Sequence, residues 1–393
     1  MAAPSIPNLN TLKGRGGLRG LRGRANQPRT TEDDQTEDDK ATARDKIIQQ
    51  TDDDASSSRM SAVALGYLND PYARAFTTGQ IVRRYPIINR GTYVRTTAID
   101  RLVDCFLATD RGSRKQIVSL GAGSDTRYFR LKDRTNLVYH EIDFASNTAQ
   151  KIAVIQRTKA LQAIIRASSR SQDLVINADK TALSSSSYHI HALNLRSLAS
   201  QASPAISNLD RDVPTLLLSE CCLCYLDPTT TSAILTSLTT VHLSPTTPTA
   251  LILYEPIRPH DPFGQTMVSN LSSRGIHLQT LKRYYSLRAQ RARLKSAGFV
   301  DGQGARDIEG IYYGSLVLTG DAAEEWIAEE ERARVERLEW LDEVEEWRLL
   351  AKHYCVAWGW RDGEGEGEGV FGRAWKEVKG SWTEGERADD EVG

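Results

Sequence analysis

The chain has 393 residues, 40% of them hydrophobic and 26% charged, the composition of one large or two ordinary globular domains, which excludes a fibre or a peptide-sized fold. Fifty basic side chains against 51 acidic ones leave a net charge of -1, so bulk charge selects no polyanionic partner. Five cysteines, three of them within Cys221 to Cys224, are not the even set of a secreted disulfide framework, and no apolar run reaches the roughly 18 residues of a membrane span or forms a signal segment.

Residues 1 to 30 carry six basic and no acidic side chains, whereas residues 31 to 54 carry ten acidic and three basic ones. Both blocks have the composition of a tail, so residues 1–50 are assigned to a disordered N-terminal segment. Its tract Gly14-Arg15-Gly16-Gly17-Leu18-Arg19-Gly20 leaves three readings open: a solvated tail, an RNA contact and an organelle address. Helices are predicted over Met60 to Phe76 and Arg95 to Ala108. From there short β-rich runs alternate with helical segments, the signature of a parallel sheet covered on both faces. Strands are predicted at Gln116 to Leu120, Leu137 to Asp143, His189 to Asn194, Thr215 to Glu220, Ala250 to Glu255, Gly310 to Leu318 and Tyr354 to Trp358. Helices are predicted at Ala145 to Ala167, Thr229 to Thr240 and Thr280 to Ser296, the last stopped by Gly298. The acidic stretch Asp321 to Leu350 carries Val335, Leu338, Leu341, Val344 and Trp347 at spacings of three, an amphipathic pattern with one packed face. The domain is thus assigned to residues 51–360, followed by a Gly/Glu-rich flexible extension over 361–393 in which Trp375 and Trp382 mark a short docked return.

The first predicted strand runs directly into Gly121-Ala122-Gly123-Ser124-Asp125-Thr126, a turn that lets a ligand approach the backbone. A dinucleotide fingerprint needs a third glycine where Thr126 stands, and Asp125 near the helix start repels a pyrophosphate. A phosphate-free nucleoside with a cationic group suits the turn better, and S-adenosylmethionine is such a ligand. The next strand ends at Glu141 and Asp143, about twenty residues on, where an acid accepts both ribose hydroxyls; Asp143, at the very tip, is the better placed. A helix-capping role is the alternative for either acid. Asn194 and Leu195 end the third strand, where an amide beside an apolar residue reads an adenine edge. Glu220 leaves a buried strand as a lone carboxylate, which packing rarely requires.

These motifs, with Gln50-Thr51-Asp52-Asp53-Asp54, Gly66-Tyr67, Asp70-Pro71-Tyr72, Ile88-Asn89-Arg90-Gly91-Thr92-Tyr93-Val94-Arg95, the run from Pro214 through Glu220 to Tyr225, and Glu339-Trp340-Leu341-Asp342-Glu343 through His353-Tyr354-Cys355, occur in an order that resembles the leucine carboxyl methyltransferases. Those enzymes methylate the C-terminal leucine of the protein phosphatase 2A catalytic subunit. The resemblance runs from about Thr51 to Trp360 and implies an α/β, Rossmann-like class I S-adenosylmethionine-dependent methyltransferase. Such a fold has a seven-stranded, mostly parallel sheet, helices on both faces and added N-terminal helices. By position it implies Arg95 beside the methionine carboxylate and the transferred group, Gly121 and Gly123 under the cofactor, Asp143 on the ribose, Asn194 and Leu195 at the adenine, and Glu220 as a later cofactor contact. Asn194 stands where the family usually has aspartate, which removes a charge from the adenine side. Arg59 aligns with a basic residue that shapes the cofactor site.

A peptide carboxylate has a pKa of about 3.5, so its methylation needs no general base at neutral pH. Positioning and removal of water carry the reaction instead. Arg95 is the expected catalytic clamp, because a guanidinium holds a carboxylate through paired hydrogen bonds. Tyr225 is a second catalytic candidate, bonding or covering the substrate end, with aromatic packing as the alternative. Cys221, Cys222 and Cys224 offer a single Cys-x-x-Cys without the second such pair or the neighbouring histidine of a zinc site, and are read as buried small hydrophobes; no metal is expected. The expected partner is the phosphatase catalytic subunit, with no membrane and no required nucleic acid, for a monomer located in the cytoplasm and also the nucleus. Two other readings remain: a carboxyl methyltransferase of the wybutosine pathway on tRNA, and a noncatalytic phosphatase-binding scaffold.

Overall fold

The structure is a computed structural model describing residues 37–77, 79–168, 174–314, 325–342, 344–363, 368–375 and 378. Nine strands, β1 (Lys115–Leu120), β2 (Leu137–Asp143), β3 (Val175–Ile176), β4 (Leu183–Ser184), β5 (Tyr188–Ala192), β6 (Thr215–Glu220), β7 (Thr249–Pro256), β8 (Gly302–Asp307) and β9 (Tyr354–Arg361), lie in one sheet in the order β3-β4-β5-β2-β1-β6-β7-β9-β8. The run β5-β2-β1-β6-β7 is parallel, while β9 is antiparallel to both its neighbours and β3 and β4 add an antiparallel edge. Every residue of β1, β2 and β7 is buried, and the central run Ala250 to Tyr254 of β7 is accordingly apolar throughout, whereas β2 buries His140, Glu141 and Asp143 among its apolar residues.

Helices cover both faces. Alternate residues of the central strands enter two cores: Ile117, Leu216, Leu218 and Ile252 on one side, and Val118, Leu120, Leu217, Leu251 and Leu253 on the other. The first core takes the stripe Val94, Ala98, Ile99, Leu102, Val103 and Phe106 of α2 (Pro86–Ala108), a helix begun by its proline and so longer at its start than the apolar pattern suggests.

Several boundaries differ from the sequence expectation. The helix before α2, α1 (Glu37–Ala64), begins inside the segment assigned to a tail. Its acids are not merely solvated: Asp45 pairs with Arg196 at 2.9 Å, and Asp54 pairs with both Arg84 and Arg274. The helix predicted over 145–167 is broken at Thr158 into α4 (Ala145–Arg157) and α5 (Lys159–Ala167), behind the short α3 (Arg127–Arg130). Next come α6 (Pro228–Ser237), the unpredicted α7 (Pro262–Ser273) and α8 (Leu287–Ser296), whose N-cap Ser286 sets its start later than Thr280.

The predicted strand Gly310 to Leu318 is overturned in its described part, because Gly310 to Tyr313 lie in α9 (Ile308–Tyr313) and Gly314 caps its end, while 315–318 are outside the described residues. The strand of this region is β8, hidden in sequence by Gly302 and Gly304. Their missing side chains make room for two indoles of β9: a Cβ would lie 2.1 Å from the Trp360 ring at Gly302 and 2.3 Å from the Trp358 ring at Gly304. The acidic amphipathic stretch contains two helices among its described residues. It is divided between α10 (Glu329–Glu336) and α11 (Val344–Lys352), with Val335 and Trp347 buried and Trp340 exposed between them. The docked return is present as α12 (Val370–Trp375), where Phe371 stacks on Phe106 at 4.6 Å and the Trp375 indole donates to Leu102 O at 3.0 Å; Trp382 lies outside the described residues. No described helix is long and apolar enough to cross a membrane.

Candidate active site

Strand order reverses at β1, which pairs with β2 on one side and β6 on the other, and a crevice opens beyond the carboxyl ends of these strands. The turn after β1 forms its floor. Gly121 and Gly123 adopt φ of +66° and +43°, and Gly121 N donates to Ile142 O at 2.8 Å, tying the turn to β2. A side chain is excluded twice over, since a Cβ at Gly121 would lie 2.5 Å from Cys222 Sγ and one at Gly123 would lie 2.3 Å from Asp52 Oδ1.

Asp143 closes the turn from β2. Its Oδ2 accepts from Gly123 N at 2.7 Å, and its Oδ1 accepts from Phe144 N at 2.7 Å and from Asn147 Nδ2 at 3.1 Å. A carboxylate has about four lone-pair sites, so capacity remains toward the crevice. Burial pushes this carboxyl above its ordinary pKa, and the backbone bonds from Gly123 and Phe144 oppose that shift. From above, Asp52 of α1 accepts from both Ser124 N at 2.8 Å and Ser124 Oγ at 2.7 Å, which fastens the helix across the glycine turn.

The space so enclosed is a cavity of about 290 Å³ bordered by Gly121, Gly123, Asp143, Asn194, Leu195, Glu220 and Tyr225. A larger cavity of about 1080 Å³ lies beside it, walled by Tyr85, Ile88, Met267, Trp340, Leu350 and Tyr354. Five residues border both: Asp54, Ala55, Arg95, Cys221 and Leu271. Arg95 is therefore at a junction. Its guanidinium lies 5.3 Å over the Tyr254 ring and its Nε is 3.6 Å from Glu220 Oε2. The other oxygen of Glu220 accepts from Arg127 Nη1 at 2.6 Å, and Arg127 also reaches Asp125 and Asp100, each at 2.9 Å. Arg127 is 1% exposed, and the three carboxylates hold its pKa well above the ordinary value against the penalty of burial.

The sequence pattern that defines leucine carboxyl methyltransferases matches residues 35–239, more than half of the chain. Leucine carboxyl methyltransferase 1 of Aspergillus fumigatus is 47% identical over 407 residues, covering 97% of this chain and 99% of the relative. The protein of the same name from Emericella nidulans is 49% identical over 388 residues, covering 92% and 96%. The chain belongs to the leucine carboxyl methyltransferase family. The Arabidopsis thaliana homologue of leucine carboxyl methyltransferase 1 is 37% identical over 331 residues, covering 83% of this chain and 91% of that one.

The sheet is accordingly that of a class I methyltransferase, with the two short strands β3 and β4 added beyond the seven expected. The cofactor is S-adenosylmethionine, and the smaller cavity suits it: a glycine floor, an acid with free acceptor capacity, an amide beside Leu195 and no described cluster of metal-ligating side chains. In this methyltransferase Gly121, Gly123, Asp143, Asn194, Leu195, Glu220 and Arg95 all border that cavity, so the structure brings these residues together as one site. Asn194 also caps the short turn Leu195–Ala199 by accepting from Arg196 N at 3.1 Å.

Three residues weighed from the sequence, Arg59, Asp125 and Glu141, stand elsewhere. Arg59 lies beneath the turn, 3.3 Å from Asp70 and 3.8 Å from Asp125, and does not border the cavity. Asp125, whose charge was expected to repel a pyrophosphate at the turn, is turned inward onto Arg127 and Arg59, which hold its carboxyl well below the ordinary range despite burial. Tyr225 borders the smaller cavity, while the tyrosines on the larger one beside Arg95 are Tyr254 and Tyr354, stacked at 5.5 Å. Glu141 is withdrawn from the site altogether and pairs with Lys151 at 2.5 Å. Sequence reasoning missed Arg127, whose three partners are scattered along the chain, and gave Asp52 no role although it lies in a recognised motif.

Proposed function

We propose that this methyltransferase esterifies the α-carboxylate of the C-terminal leucine of the protein phosphatase 2A catalytic subunit, removing one terminal charge and so regulating phosphatase assembly. One observation carries the reading. Arg95 stands where the cofactor cavity meets a larger, mostly apolar one, so a guanidinium is presented to whatever the larger cavity admits. An anionic chain end with an apolar side chain matches both features.

Bound in the smaller cavity, S-adenosylmethionine supplies the methyl group as a sulfonium. The protein's part is placement. Arg95 clamps the incoming carboxylate through its Nη atoms, while Glu220 faces its Nε as an ion pair at 3.6 Å, leaving the far side of the guanidinium for substrate. Arg127 shares the Glu220 charge, which keeps that glutamate from neutralising Arg95 outright. Tyr254, Met267, Leu271 and Tyr354 wall the junction with apolar surface, which suits a leucine side chain and strips water from the anion. The carboxylate is ionised at neutral pH with a pKa of about 3.5, so no proton has to move.

The deciding experiment is transfer of labelled methyl from S-adenosylmethionine to purified phosphatase catalytic subunit, beside a version lacking its terminal leucine. Label on the intact subunit alone, lost in mild base as an ester is, supports the reading. Label on neither, with cofactor binding intact, overturns it and directs the search to a modified tRNA carboxyl group.

A further inference from the structure

The segment joining the two cavities is Glu220-Cys221-Cys222-Leu223-Cys224-Tyr225, with thiols at Cys-x-x-Cys spacing, Cys221 just past the end of β6 and Cys224 inside a short helical turn over Leu223–Tyr225. Cys221 has φ of +48°, a left-handed conformation uncommon for a side chain that is not glycine. That conformation sets Cys221 on the border of both cavities, half-buried, while Cys224 is buried beneath it at 1% exposure. The Cys224 thiol is in contact with Cys221, and the Arg95 guanidinium lies near enough to interact electrostatically with the Cys221 sulfur. Both cysteines are free thiols in this structure.

We propose that Cys221 and Cys224 form a reversible dithiol/disulfide pair that shuts the site when a hydroperoxide enters the larger cavity. Cys221 is the attacking thiol, because it alone of the two borders space open to a small oxidant. Its sulfur attacks the peroxide, the O–O bond breaks, Cys221 becomes a sulfenic acid and one water or alcohol leaves. The Cys224 thiol then attacks the sulfenic sulfur, the S–S bond forms, and the hydroxyl leaves as water with the Cys224 proton. Two thiols are oxidised and one peroxide is reduced. Cys224 suits the resolving role by its place: it is buried against Cys221, out of reach of the oxidant, so its thiol meets the sulfenic sulfur only once that has formed beside it.

The bridge acts on methyl transfer because of what this turn carries. Glu220, which pairs with Arg95, precedes Cys221, and Cys222 packs under Gly121. Drawing the Cys221 sulfur down to Cys224 takes it from the Arg95 junction and pins the segment on which both contacts depend. The effect on activity rests on the proposed reading of the two cavities; formation of the bridge does not.

The test treats the full chain with hydrogen peroxide, alkylates it without reduction and maps the peptides by mass. The expected result is one peptide lacking two hydrogens, with Cys221 linked to Cys224, methyl transfer reduced by tenfold or more in parallel, and both reversed by a dithiol reductant. Cys224→Ser should retain methyl transfer in reductant but show no linked peptide and no recovery on the same time course. Where that variant does not fold, Cys224→Ala replaces it. Alkylation of both cysteines as free thiols after oxidation, or linkage of Cys221 to Cys222 or Cys105 instead, overturns the proposal. So does a linked peptide in an enzyme that remains fully active.

Discussion

At the scale of single residues, the site separates groups that face ligand from groups that hold them. Arg95 faces ligand. Replacing it with alanine leaves Glu220 still paired with Arg127, so the fold has no orphaned charge and should melt as the parent does. Methyl transfer should fall by about a hundredfold or more, the scale of losing one positioned donor in a dry site. Arg95→Lys should not restore it, since an ammonium lacks the paired donors of a guanidinium. Steady-state transfer assays beside thermal melts check both halves, and near-parental turnover in Arg95→Ala would remove the residue from the reaction.

Asp143 does both jobs. Its oxygens take the amides of Gly123 and Phe144 and the side chain of Asn147, so Asp143→Ala removes a ligand contact and also releases the glycine turn. Cofactor affinity measured by calorimetry should weaken by about 1.5 to 3 kcal/mol, the scale of charge-assisted bonds. Asp143→Asn should recover only part, because its amide nitrogen points a donor at a backbone N–H. Equal affinity in all three proteins would assign the ribose contact to another group.

The site was legible in the sequence to the extent that its residues sit at strand ends. Gly121 and Glu220 each close a strand with an apolar centre, and Asp143 is the last acid of an alternating pair, so each marks the rim of the sheet. Arg127 was illegible for the opposite reason. It lies in a four-residue helix with no periodicity of its own, and its partners Asp100, Asp125 and Glu220 meet only when β1 and β6 pair.

At the scale of elements, the same contrast explains which strands could be read. The strands β1, β2, β6 and β7 are buried on both faces and spell it in their residues, whereas β8 borrows its cover from the indoles of β9 and shows glycines instead. The start of α1 was hidden because its acids look like a tail until Arg84, Arg196, Arg274 and Ser124 are brought to them. Strands β2 and β5 carry a further feature, the stacked rings of His140, His189 and His191, with His140 Nδ1 and His191 Nε2 at 3.1 Å. One of those two nitrogens must accept, so at least one ring of the pair is neutral. Burial lowers His189 and His191 from 6.5 to about 4, with Arg114 adding to the shift of His189 and His189 to that of His191. The unfolded chain therefore takes up protons first as pH falls. Stability should decline between about pH 6.5 and about 4, by about 1.4 kcal/mol for each unit of pKa difference per ring, and level off below. Urea unfolding across that range checks the sign, and His191→Phe should flatten the slope; a parent whose midpoint holds constant would mean that the stack is protonated without cost.

At the scale of the whole molecule, the mouth of the larger cavity is unusually apolar for a surface. Trp340 is 85% exposed, and Tyr85, Val344 and Leu349 around it are each more than 40% exposed. Trp340 lies between α10 and α11, its indole directed to the nearby Asp342, so its exposure is a property of the loop rather than of a helix face turned outward. Large apolar side chains gathered at the entrance to a deep cavity are the usual material of an interface core, and a single tryptophan commonly dominates such a patch. A short leucine-ended peptide has to reach only the junction at Arg95, whereas a folded substrate must also lay its body over the entrance. On the substrate proposed above, Trp340→Ala should therefore raise KM for the folded subunit about tenfold or more, the scale of losing one interface anchor, and leave kcat and the KM of a tail peptide nearly unchanged. Equal losses on protein and peptide would place Trp340 against the tail itself. No loss on either would mean that the folded body docks away from the entrance, and that the apolar rim serves only to keep water from the carboxylate at Arg95.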